Sequence, residues 1–242
     1  MLEIVYLAHS GFALLTDNAT VIIDYYSDSC AGSRCLAHGV VDEDALSRPG
    51  RLYILSSHAH ADHFNPVVLR WKQRRPDAVY LFSQDILDAG LAASNDAVYL
   101  QKGHTYADET LQVRAFGSTD AGVSFVLKLA GHTVLHAGDL NNWHWNQEVP
   151  AAEAAAYEQA YLAELATLAA AYPHLDAALF PVDPRLGRDY MRGAEQLVEA
   201  IDVDCFVPMH FWEDTQKANA FAPLARKRFA PITRRGETIR LS

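Results

Sequence analysis

The sequence predicts an α/β protein, whose elements would fit two sheets with helices outside, and three observations lead there. Half of its 242 residues are apolar, ample for a sizeable core in a single domain spanning residues 1–242. The first half alternates short strand-like runs with turns. The second half opens on one long helical stretch and then alternates strand with helix. No low-complexity linker, fixed-period repeat or composition break interrupts this order.

Taken in order, residues 2–8, 11–16 and 20–25 form an apolar meander, with Asp17-Asn18 supplying a turn. Residues 27–50 are a polar excursion punctuated by Gly and Pro. Leu52-Tyr53-Ile54-Leu55 is a buried strand, residues 66–75 a helix opened by Pro66, and residues 78–82 a strand. Short elements reach Gly103, and residues 110–115, 122–129 and 133–136 follow as a hairpin series whose last turn is Ala130-Gly131. Residues 153–172 lie between Pro150 and Pro173, and Tyr157, Tyr161, Leu165, Leu168 and Tyr172 recur at three- and four-residue spacing, which predicts a helix with that stripe facing the core. Strands at 176–180 and 205–208 enclose a helix near 193–201. A further helix near 216–228 precedes a closing strand at 238–241.

Lys and Arg number 20 against 30 Asp and Glu, a net charge of −10. The average field therefore repels nucleic acid and anionic membrane surfaces, and a small-molecule substrate is expected. Arg226-Lys227-Arg228 and Arg234-Arg235 are too short to signal a basic groove. The chain starts directly on strand-like residues, has no leader-like segment and no apolar run of membrane-spanning length, and is expected in the cytoplasm. Cys30, Cys35 and Cys205 make no disulfide framework and are expected as thiols.

The stretch richest in chemistry is His58-Ala59-His60-Ala61-Asp62-His63, three imidazoles and a carboxylate within six residues at the mouth of a buried strand. In extended chain His58 and His60 point to one side, where neutral imidazole nitrogens grip a zinc-like ion at roughly 2.0–2.1 Å. Asp62 and His63 turn toward a neighbouring position, so the string supplies ligands for two metal ions.

This H-x-H-x-D-H string resembles the signature of the metallo-β-lactamase-fold hydrolases, and other segments are similar to that family in the same order. His9-Ser10-Gly11-Phe12 and Val21-Ile22-Ile23-Asp24 resemble its opening hairpin, His136-Ala137-Gly138-Asp139 its strand-end aspartate, and Pro208-Met209-His210-Phe211 its late histidine. Tyr190-Met191 and Pro208-Met209-His210 are similar to the UlaG-like, ascorbate-lactonase branch. The resemblance implies a four-layer αββα sandwich. It also implies one cation on His58 and His60, a second on Asp62, His63 and His210, and Asp139 bridging them. Cofactors would be one or two divalent ions, Zn or Mn. A water between two cations falls toward a neutral pKa, so Asp62 and Asp139 would serve catalysis and hydrolysis of a small polar ester, lactone or phosphodiester is the expected outcome. The alternatives are a phosphodiesterase or nuclease acting on nucleotides or RNA, and a non-catalytic metal-binding or sensory protein.

At one ligand the chain departs from the family. A further histidine is expected midway between the signature and Gly138-Asp139, and residues 114–122 contain none. Asp120 is the favoured substitute, as a direct or water-mediated oxygen ligand that shifts preference toward Mn²⁺. A water held by Ser118 or Thr119, a weak or empty first site, and His144 folding back over the metals are the other options. Trp143, His144 and Trp145 are expected to wall the substrate cavity. Asp183 and Arg185, stiffened by Pro181 and Pro184, are expected either to bind a polar or anionic substrate or to form a structural pair in a turn. His136 is expected to orient ligands, and His9 to approach the mouth of the site or to be an ordinary turn histidine.

Overall fold

A computed structural model describes residues 1–241. Two seven-stranded sheets form its centre. In chain order the first takes Leu2–Ala8 (β1), Gly11–Leu15 (β2), Ala19–Ile23 (β3), Arg51–Ser56 (β4), Val79–Ser83 (β5) and Val98–Leu100 (β6). The second takes Thr105–Ala107 (β7), Leu111–Gly117 (β8), Val123–Leu129 (β9), His132–His136 (β10), His174–Pro181 (β11), Asp202–Met209 (β12) and Arg228–Phe229 (β13). Thr238–Leu241 (β14) then returns to pair antiparallel with β1, so the spatial orders are β14-β1-β2-β3-β4-β5-β6 and β13-β12-β11-β10-β9-β8-β7. Each sheet is antiparallel on one side and parallel on the other, with β3 to β6 and β10 to β13 as the parallel halves.

The period of two along β1 explains the layering. Leu2, Ile4 and Tyr6 join a core shared with the second sheet, whereas Val5 and Leu7 join a separate outer cluster. That outer cluster is covered by three short helices, Glu43–Leu46 (α1), Val67–Arg70 (α2) and Gln84–Asp88 (α3). They contribute Ala45, Leu46, Val68 and Ile86. Ala151–Ala171 (α4) and Arg192–Ala200 (α5) cover the other sheet through Tyr161, Leu165, Leu168, Leu197 and Val198. Helix, sheet, sheet, helix is the αββα sandwich that the resemblance implied. Tyr53 of β4 ties the two sheets, its hydroxyl donating to both Asp108 oxygens at 3.0 and 2.8 Å in the turn before β8.

Three expectations need correction. The helix expected near 216–228 is only Thr215–Asn219 (α6), followed by a 3₁₀ turn at Ala222–Leu224 and by β13, because Pro223 lacks the donor a continuing helix needs. The helix over 66–75 stops after one turn and tightens to 3₁₀ at Trp71–Gln73. The tyrosine stripe splits, with Tyr161 buried and Tyr157 exposed. No helix among the described residues is long and apolar enough to cross a membrane, and all three cysteines are free.

The topology gathers chemistry at one end. The carboxyl ends of β3, β4, β10, β11 and β12 deliver Asp24, His58, Asp139, Asp183 and His210. The β1–β2 turn adds His9 and the β8–β9 turn adds Asp120.

Candidate metal centre

Two groups of donor atoms form at this end, each with its atoms within 4.8 Å of one another. One is His58, His60 and Asp139, and the other is His9, Asp62, His63 and His210. Asp139 lies between them. One of its oxygens is 3.4 Å from His58 Nε2, and the other is 3.1 Å from His63 Nε2 and 3.2 Å from His210 Nε2. His58, His63 and His210 are buried, and their Nε2 atoms and Asp139 Oδ1 have no hydrogen-bond partner among the described residues. Buried polar atoms are rarely left without one. A cluster of them aimed at a common region is what a coordinated cation satisfies, and nitrogen and carboxylate donors without a thiolate fit zinc, manganese or iron.

Hydrogen bonds on the far side of each ring decide which imidazoles present a lone pair. His63 Nδ1 faces Asp24 Oδ2 at 2.7 Å, and His210 Nδ1 faces Asp183 Oδ2 at 2.9 Å. Carboxylates only accept, so both Nδ1 atoms carry hydrogen and both Nε2 atoms are free to ligate. His58 follows the same logic through a relay. The Ser57 hydroxyl donates to Asp24 at 2.6 Å and so receives a hydrogen bond from His58 Nδ1 at 3.0 Å. His9 is the reverse. The Trp212 backbone N–H donates to His9 Nδ1 at 3.2 Å, which puts the hydrogen of a neutral ring on Nε2, 3.4 Å from Asp62. This tautomer turns the Nε2 hydrogen of a neutral His9 toward Asp62 without completing a hydrogen bond, and it leaves Asp62, His63, His210 and Asp139 as the second ligand set.

The charges agree with that division. Burial lowers His9 to about 4, with His210 and His63 adding to the effect, so its ring is neutral. Burial disfavours charge on His63 as well, yet Asp139 and Asp24 outweigh it and hold its pKa at about 10. His210 is likewise raised despite burial, by Asp139 and Asp183. Asp139 is held well below the usual carboxylate range because His210, His58 and His63 outweigh its desolvation. The site thus holds carboxylate charge that calls for cations, whether protons on imidazoles or metal ions.

Local backbone geometry makes this convergence possible. Gly138 adopts φ +53 and its α-carbon is so close to Ser57 that a Cβ would lie 2.9 Å from the serine Cβ. Gly122 adopts φ +63, where a Cβ would meet the Ser57 carbonyl oxygen at 2.1 Å. Only glycine lets these two turns close on the signature strand end. Ala59 N–H donates to Asp85 at 2.9 Å, pinning the signature loop to α3.

His58, His60, Asp62, His63, Asp139 and His210 come together as the sequence implied. Asp120 lies beside His60, with 3.7 Å from its Oδ2 to His60 Nδ1, but both side chains are 53% exposed and Asp120 falls outside the compact donor group. Thr119 is committed to the loop after Asp139, donating to Asn141 O at 2.6 Å. Trp143 and Trp145 stack at 6.1 Å and, with Asp139, His210, Tyr157 and Arg185, line a cavity of about 260 Å³. His144 neither lines that cavity nor joins either donor group. Its Nδ1 accepts from Asn146 N–H and its Nε2 donates to Asp189 O, so both nitrogens are spent on backbone. Asp183 is wholly buried and grips His210 and Arg185 rather than facing substrate, while the Arg185 side chain is about half exposed at the cavity. His136 donates to Ser10 O and accepts from Gly138 N–H, an orienting role.

The sequence did not reveal Asp24 as the carboxylate that orients His63 and Ser57, nor Tyr157 as a cavity residue. Its place at the end of a strand parallel to the signature strand was the available signal for Asp24. Tyr157, one turn before buried Tyr161, had none.

The beta-lactamase superfamily domain matches residues 3–156. No curated protein sequence matches the chain. Among solved structures, Igni18, a metallo hydrolase from the hyperthermophilic archaeon Ignicoccus hospitalis, has a similar fold with TM-score 0.68 and 17% identity over 98% of this chain and 97% of its own. YhfI of Bacillus subtilis, a metallo-β-lactamase fold protein, gives 0.64 and 11% over 98% of each. CmlA of Streptomyces venezuelae, a diiron β-hydroxylase, gives 0.66 and 16% over 99% of this chain, which spans 54% of CmlA. At these identities the likeness is one of fold.

Proposed function

The chain belongs to the beta-lactamase superfamily, and from that premise we propose that it is a metal-dependent hydrolase of a small polar ester, lactone or phosphodiester. The observation that carries this reading is the set of buried, unpartnered ligand atoms on His58, His63, His210 and Asp139 beside an open cavity. Divalent cations, Zn or Mn, would supply a water acidic enough to ionise near neutral pH and would polarise the scissile oxygen. His58, His60 and Asp139 would hold one, and Asp62, His63, His210 and Asp139 the other. Asp24 and Asp183 fix the rings of His63 and His210. Arg185, held by Asp183 through Nε at 2.9 and 3.0 Å, would anchor a polar group of the substrate. Trp143, Trp145 and Tyr157 would wall its apolar part, the usual build of a small-molecule site. The late segments Tyr190-Met191 and Pro208-Met209-His210 favour a UlaG-like, lactonase-type placement within the superfamily.

Two other readings have one support each. The fold of the diiron hydroxylase CmlA, with a donor set lacking thiolate, suits iron, and iron would show as a coloured, oxygen-reactive protein. A donor set of three at the first position suits a binding protein that does not turn over. Protein stripped and reloaded with zinc or manganese, assayed on esters, lactones and phosphodiesters, tests the hydrolase. Activity should depend on metal and fall roughly 100-fold or more in Asp139→Asn. Full metal content with no hydrolysis would sink the proposal.

A further inference from the structure

A second cavity, of about 470 Å³, lies behind His9, whose buried ring is 4.1 Å from that of His210 and separates it from the first cavity. Its inner wall is the stacked pair Tyr6 and Phe211, with centroids 5.6 Å apart. Tyr26 and Trp212 flank the opening, and the Trp212 indole lies 4.2 Å from His9 and is 44% exposed.

The charge on this cavity runs against that of the chain. Arg235 donates to four backbone carbonyls, those of Leu7 at 2.7 Å, Ser29 at 2.6 Å, Gly39 at 2.7 Å and Ser27 at 3.4 Å. No carboxylate lies within ion-pair distance of it among the described residues, so its charge reaches the cavity without a counter-ion. Arg234, exposed at the rim, has no hydrogen bond or ion pair from its side chain among the described residues. Among the described residues that line the cavity, Glu213 is the one carboxylate beside these two guanidinium groups. In a protein of net charge −10 such a local inversion focuses anions. Arg235 fixes the wall and contributes field, whereas Arg234 keeps a planar fork free to take a carboxylate or phosphate through two hydrogen bonds.

We propose that this cavity is a binding site for a small anion, a carboxylate or phosphate, taken by Arg234 and separate from the metal centre.

Calorimetry on the full-length, metal-free protein, with succinate and inorganic phosphate titrated separately at constant ionic strength, tests the site without catalysis. Saturable binding of at least one anion is expected, and the tighter of the two names the group. Arg234→Ala should weaken that anion roughly tenfold or more. Arg234→Lys, which keeps charge and loses the fork, should fall between, and Glu213→Gln should tighten it by removing repulsion. Binding that ignores Arg234→Ala but disappears in His210→Ala would place the anion on the metal centre and overturn the proposal, as would no saturable binding of either anion. Failure of the hydrolase reading would look different, with anion binding intact and no turnover after metal loading.

Discussion

Six imidazoles crowd this end of the molecule, and what each does is set by the group behind it. His63 and His210 are backed by Asp24 and Asp183, and His58 by the Ser57 relay, while His9 is backed by a backbone N–H. His9→Ala is therefore expected to retain the wild-type metal content, whereas His63→Ala and His210→Ala should each lose the second ion, as read by elemental analysis. Metal loss in His9→Ala equal to that in His210→Ala would show that His9 is a ligand. Asp24→Asn keeps the shape of the orienting group but weakens its hold on Nδ1, and metal affinity should fall roughly 10- to 100-fold, measured by competition with a chelator. Asp120→Ala should leave first-site occupancy unchanged, since Asp120 lies outside the donor group; loss of the first ion in that variant would make Asp120 a ligand. The ligands in the signature string were legible because neighbours in sequence are neighbours here. The role of His9 was not, since its tautomer depends on Trp212, 203 residues away.

At the scale of elements, strands were more legible than short helices. Alternation and apolar runs located β1 to β5, β8 to β12 and β14, because burial on one or both faces writes a period into the chain. The last helix was drawn too long because the effect of Pro223 within 216–228 was not taken into account. The Trp143 to Trp145 loop shows a similar limit. Its indoles line the cavity, but which way His144 turns depends on Asp189 and Asn146 of its surroundings. Between the sheets, Asp108 accepts hydrogen bonds from the hydroxyls of Tyr53 and Tyr106 and from the backbone of Thr110 and Leu111. Although partial burial pushes its pKa up, these donors outweigh it and hold the carboxyl below its ordinary value of 3.8. A depressed carboxyl stabilises the fold above its ordinary pKa and loses that contribution as pH falls through the folded value. Asp108→Ala should thus cost about 2 kcal/mol near neutral pH. Denaturant unfolding of both proteins should show the difference shrinking below about pH 4. A constant difference across that range would argue against the charge-assisted link.

Over the whole molecule, the sandwich is expected to hold without metal. Both sheets bury apolar faces against each other and against helices, while the ligands occupy one rim. Chelated protein should stay folded with a lower unfolding temperature, since a ligand that binds only the native state adds stability by mass action. Collapse of cooperative unfolding on chelation would mean that the metal organises the fold. The overall architecture was legible because 242 residues of patterned burial constrain it many times over. The division of ligands between two positions was less so, because it rests on a few contacts between strand ends far apart in sequence.

The central claim is a pair of unequal cation positions sharing Asp139, and anomalous diffraction from crystals grown with zinc or manganese tests it most directly. Two peaks are predicted, the stronger among Asp62, His63, His210 and Asp139 and the weaker among His58, His60 and Asp139, each collected at the absorption edge of the metal supplied. No peak within coordination distance of His63 and His210 would contradict it.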